Sequence, residues 1–99
     1  MKKKTIQKKR LSKECWNLDY SFYCWLKERL PVYLKEADSV VNLDYHKFEY
    51  NGVELTQKQA IERMIELLKI PYDVWEEEYI TAMDEVLDLW KLVFHAMWW

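Results

Sequence analysis

LDYHKFEYNGVELT, residues 43–56, is the stretch that decides the fold. On both sides of it apolar residues recur every three or four positions, the period of an amphipathic helix. Within it they alternate with polar residues, and Asn51-Gly52 separates two alternating runs. Asn-Gly readily takes the positive φ angles of a two-residue hairpin turn. Strands are expected at about 44–50 and 53–55, so the chain is not purely helical.

Working outward, Leu18, Phe22, Trp25, Leu26, Leu30, Tyr33, Leu34 and Ala37 predict a helix beginning near Asn17, a possible N-cap. Asp19 suits its positive end. Pro31 removes the partner of the Lys27 carbonyl, so a kink or a restart is expected there, and the periodicity that resumes after it favours the kink. After the hairpin, Thr56 and Gln59 fit a capping box, with Ala60, Ile61, Met64, Ile65 and Leu68 on one face. Pro71 stops that helix. Asp73 and Glu76 repeat the capping pattern, and Trp75, Tyr79, Met83, Val86, Leu87, Trp90, Val93, Phe94 and Met97 form the stripe of a last helix.

The architecture predicted is α+β and mostly α: helix, β-hairpin, helix, helix, in a single small domain over residues 14–99. A lone hairpin is marginal in water, so it must lie on a helix or pair with another chain. Edge pairing of the hairpin is one simple route to a dimer.

Charge is divided unequally. Residues 1–13 carry seven basic side chains and no acid, which leaves eight basic and seventeen acidic ones in residues 14–99, a net of −9 there. A basic flexible tail is expected over 1–13, solvated or touching a phosphate backbone. The acidic remainder argues against a duplex-binding face on the domain itself. No apolar run approaches the roughly 20 residues of a membrane span, and no apolar segment follows the lysines as in a signal peptide. A cytoplasmic protein is expected. Cys15 and Cys24 are too far apart along one helix for a disulfide and lack metal-site spacing.

Catalytic patterns are sparse. With Gly52 the only glycine, neither GxxxxGK[ST] nor GxGxxG is present, which excludes nucleotide sites of those types. Asp84 and Asp88 share a helix face, but too few further ligands converge to hold a cation, and no metal or cofactor is expected. Asp44 and His46 should share a strand face without a nucleophile beside them; His46 reads as a partly buried, hydrogen-bonded residue of the hairpin. The chain is not expected to be an enzyme.

The aromatic residues say more. Six Trp, seven Tyr and three Phe exceed what one core of this size needs. Trp16, Tyr20, Tyr23 and Lys27 form a second row beside the main stripe of the first helix, so that helix is expected to be covered on two sides. At the C-terminus, FHAMWW continues the last stripe: Phe94, Met97 and Trp98 read as core, while His95 and Trp99 lie further round. Trp99 is open to either role, core lid or binding contact. Candidate ligand-binding residues are therefore Trp16, Tyr20, Tyr23, Lys27, Arg29, His95 and Trp99, with indoles and phenols to stack a planar ring and cations to meet a phosphate.

WNLDYSFYCWLKERLPVYL, DYHKFEYNGVELTQ and LDLWKLVFHAMWW together resemble small phage or prophage proteins of unassigned function. The resemblance spans most of residues 15–99. It implies a phage accessory protein acting in a bacterial cytoplasm, and it assigns no catalytic residue. On that basis three functions are open. The first is capture of a nucleotide-type immune signal in an aromatic pocket of a homo-oligomer. The second is inhibition of a host defence protein, such as a CRISPR effector, through the acidic last helix. The third is an accessory role in phage replication, with the basic tail on nucleic acid.

Overall fold

A computed structural model describes residues 2–98, with side chains from Lys9 onward. Helices α1 (Lys2–Trp16) and α2 (Leu18–Asp38) precede strands β1 (Lys47–Tyr50) and β2 (Val53–Thr56), followed by α3 (Gln57–Leu67) and α4 (Glu77–Val93). Helix, hairpin, helix, helix is the order read from the sequence, with α1 added in front. Residues 2–13, expected as a tail without regular structure, belong to that helix. Asn17 ends it and starts the next: its backbone leaves helical geometry at φ −130, ψ 70. Its carbonyl then accepts from Ser21 N–H at 2.9 Å, the first helical bond of α2. No side-chain cap forms at Asn17.

The hairpin has the predicted turn. Asn51 and Gly52 take φ 50 and 77, the left-handed pair that lets a two-residue turn follow the strand twist. Phe48 pairs with Leu55 and Tyr50 with Val53. Phe48, Tyr50 and Leu55 pack on the helical core, so the hairpin gains from a helix surface what it lacks alone. On the outer face Glu49 stands opposite Glu54, a like-charge pair that Lys47 relieves diagonally at 3.9 Å from Glu54. β1 starts at Lys47, later than expected. Asp44 and His46 therefore lie in the preceding turn and do not share a strand face, and His46 is exposed, not partly buried.

Helix α3 is central, packing on α2, α4 and β2. Its Thr56–Gln59 capping box forms in both directions, at 3.2 and 2.9 Å. The next free donors are satisfied by the preceding turn: Gln57 N–H reaches the His46 carbonyl at 2.9 Å and Lys58 N–H that of Leu43 at 3.0 Å. Gln57 is the one buried polar side chain among the described residues, and its amide donates to the Ala96 carbonyl at 3.0 Å. That bond ties the C-terminal segment to the start of α3. Ala60, Ile61 and Met64 of α3 meet Leu26 and Leu30 of α2 and Val86, Leu89 and Val93 of α4, all essentially removed from solvent.

Several expectations need correction. α2 runs through Pro31 as one helix, so the chain does not restart there. α3 stops at Leu67, before Pro71. Asp73 does not cap α4: its carboxylate accepts from Trp75 N–H at 3.0 Å in a local turn, and the helix begins three residues later behind Glu76. Trp75, placed on the last stripe, is 90% exposed for the same reason. The helix ends at Val93; Phe94–Ala96 form a tighter 3₁₀ turn and Met97 leaves helical geometry at ψ 70. Trp98 is consequently 72% exposed and Phe94 52% exposed, not core, whereas Met97 does pack on the core.

Tyr23 fixes how α2 is rolled. The side chain is buried, and its hydroxyl lies 3.1 Å from the Leu68 carbonyl and 2.9 Å from that of Ile70, just beyond the end of α3. Tyr23→Phe keeps the ring and strands both carbonyls, so it should cost about 1–3 kcal/mol in urea unfolding. Unchanged stability would show that the hydroxyl does not set the packing.

Candidate functional site

Buried positions on α2 are Tyr23, Leu26, Leu30 and Ala37. Leu18, Phe22, Trp25 and Arg29 lie about 100° round the same helix. On α4 the buried positions are Tyr79, Ala82, Val86, Leu89 and Val93, which leaves Leu87, Trp90 and the following Phe94 at the edge of the core. The outward row of α2 and this edge face one another across an open groove of about 660 Å³. That volume is within the range of small-molecule sites.

Four rings frame the groove. Phe22 and Trp25 are parallel within 8° at 6.4 Å between centroids. Trp90 stands edge-on to both, at 6.3 and 6.4 Å, and Phe94 continues the chain at 5.4 Å from Trp90. Edge-to-face contacts hold each ring by its quadrupole as well as by area. Trp25 keeps 45% of its surface open, so part of the indole remains accessible. The Arg29 guanidinium lies 4.8 Å from the Trp25 ring centroid, and its nitrogen is 3.6 Å from a Glu28 oxygen. Glu14 and Glu28 line the groove as well, so its mouth carries one cation and two carboxylates. The Ser21 hydroxyl donates to the Glu14 carbonyl at 2.9 Å and joins the end of α1 to this wall.

Of the candidates read from the sequence, the structure brings Tyr20 and Arg29 to the groove. The adjacent Cys24 thiol raises the Tyr20 phenol above its ordinary pKa. Tyr23 lies in the core instead, and Lys27 sits outside over its ring, 5.4 Å from the centroid, donating to its hydroxyl at 3.3 Å. Trp16 is 78% exposed at the end of α1 and does not line the groove. His95 is exposed against the edge of Phe94, and Trp99 lies outside the described residues. Sequence reading missed Phe22, Trp25, Trp90 and Phe94 as site residues because it assigned all four to core stripes. The available signal was width: a stripe spread over so much of the helix cannot all face one partner.

A second aromatic cluster backs the groove. Tyr20, Tyr23, Tyr72 and Tyr79 meet at 4.9–6.3 Å, mostly edge-to-face. The Tyr72 hydroxyl donates to the Asp19 carboxylate at 2.5 Å, pinning the start of α2 to the segment between α3 and α4. That bond lowers the Asp19 pKa and pushes Tyr72 up to about 12.

Elsewhere, two of the five acidic side chains of α4 are engaged. Arg63 holds Glu85 through two nitrogens at 2.6 and 3.3 Å, and Asp88 accepts from the Tyr50 hydroxyl at 3.2 Å. Among the described residues no three His, Cys, Asp or Glu side chains converge as a metal site. Among the described residues no helix is long and apolar enough to cross a membrane. No family model matches the chain, and no curated protein or solved structure matches it significantly.

The Tyr72–Asp19 bond has a pH signature. A phenol whose folded pKa is raised stabilises the fold fully below the ordinary value of 10, and that contribution is lost as pH climbs to about 12. For Asp19 the lowered pKa adds stability above the ordinary carboxylate value, lost as pH falls below it. Tyr72→Phe should flatten the alkaline limb of a thermal-unfolding profile between those two values. An alkaline limb identical to that of the parent would show that the bond does not form in solution.

Proposed function

We propose that this protein is a non-catalytic binding protein that holds a planar, nucleotide-type ligand in the groove between α2 and α4. The carrying observation is the frame of Phe22, Trp25, Trp90 and Phe94, with a part-exposed indole and one guanidinium over it. Stacking on an aromatic side chain contributes roughly 1–3 kcal/mol per base and tolerates any base, because every base has a π-face. Arg29 can leave Glu28 for a phosphate, a bidentate partner that suits its planar fork better. With Glu14 and Glu28 at the mouth, a single phosphate is favoured over a polyphosphate chain. The resemblance to phage accessory proteins gives the reading its setting, the sequestration of a nucleotide-type defence signal in a bacterial cell. Inhibition of a defence enzyme through the acidic α4 is the second reading; Glu85 and Asp88 are held by internal contacts, which leaves Glu77, Glu78 and Asp84 for it.

A thermal-shift screen with nucleosides, mononucleotides, cyclic nucleotides and ADP-ribose tests this. A ligand at one hundred times its dissociation constant should stabilise the fold by about 2.7 kcal/mol. Trp25→Ala should remove the shift, and Arg29→Gln should remove the preference for a phosphorylated ligand over its nucleoside. No shift with any of these compounds would overturn the reading.

A further inference from the structure

The aromatic groove leaves one feature of the chain unused, the cationic helix α1. Every side chain described on it, from Lys9 to Trp16, is exposed, and none of Lys9, Arg10 and Lys13 forms an ion pair among the described residues. The body differs. There five of the eight basic residues, Arg29, Lys47, Lys58, Arg63 and Lys69, each have a carboxylate within 4 Å. Lys9 and Lys13 are four apart on one helix face, a like-charge spacing that costs free energy unless something anionic lies beside it. α1 has no acidic residue in its first turn to suit the helix dipole either.

We propose that α1 is a sequence-indifferent binding arm for the phosphate backbone of duplex nucleic acid. Charge density favours this partner. The seven basic residues of positions 2–13 fall within 12 residues, about 18 Å of helix, with no acidic residue among them. Each strand of a duplex offers one phosphate per roughly 3.4 Å. The acidic body of a second copy offers a shorter track: its longest acidic run is Glu76–Glu78, and Asp38, Glu66 and Glu85 are already paired. A membrane surface fits less well still: among the described residues of α1, Leu11, Cys15 and Trp16 make too small an apolar face to insert. The net charge of −9 on residues 14–99 keeps the body off the duplex, so the arm alone makes the contact.

Fluorescence anisotropy of a labelled DNA duplex, titrated with the full chain over a range of salt, decides the matter. If all seven charges meet phosphates, the logarithm of the affinity should fall against that of salt with a slope of about −6. The triple variant Lys9→Gln, Arg10→Gln, Lys13→Gln should weaken binding and reduce the slope by about 3, with its unfolding temperature unchanged. Trp25→Ala should bind the duplex as the parent does. Absence of binding at low salt overturns the proposal. So does a triple variant with unaltered affinity and slope, or loss of duplex binding in Trp25→Ala.

Discussion

The rotation of α2 about its own axis is the constraint on which the rest depends. Tyr23 sets it. A buried phenol must place its hydroxyl on an acceptor, and the carbonyls of Leu68 and Ile70, where α3 ends, are the acceptors within reach. Once Tyr23 points inward, Leu26 and Leu30 follow it into the core, one turn and two turns on. The row through Leu18, Phe22 and Trp25 is then turned aside, too apolar to be a solvated face and too far round to be core. Trp90 meets that row edge-on, and the groove between them results from two helices that each carry more apolar circumference than one core can cover.

Electrostatics divides the molecule along its chain. Five short pairs engage part of the acidic body, of which Arg63–Glu85 is the closest, while the cations described on α1 have no such partners. Exposed pairs of this kind contribute little stability each. Their larger effect is on the field: they thin the negative potential around the hairpin and α3 and leave the positive end of the molecule undiluted. Aromatic groove and basic arm join near Asn17, where Ser21 bonds back to Glu14 and fixes the angle at which the arm departs.

Much of the fold was legible in the residues. Asn51-Gly52 and the switch in period specify the hairpin, and its register follows from the two-residue turn. Thr56 and Gln59 specify where α3 begins, because each satisfies the other's backbone donor. Errors gathered where two local rules compete. Asp73 can cap a helix or form a turn with the residue two ahead, and it does the latter. Pro31 can break a helix, yet burial of Leu30 and Ala37 on either side holds α2 in one piece. FHAMWW continues the helical period on paper, but the chain leaves helical geometry at Met97 and Trp98 turns outward.

The candidate site was legible in kind rather than in place. Surplus aromatics announce a second apolar surface whatever the fold, because sixteen aromatic rings cannot fit one core of this size. Which of them form that surface is another matter. Tyr23 and Phe22 are neighbours of similar size, and periodicity and hydropathy favour Phe22 as the one inside. The hydroxyl reverses that preference only when the carbonyls at the end of α3 are in position to receive it, and those are 45 and 47 residues away in sequence. Local sequence thus determined the elements, their turns and the segregation of charge, since these depend on residues within a few positions of one another. The tertiary structure decided which aromatic row is core and which is groove, since that depends on an acceptor the rest of the chain must bring to it.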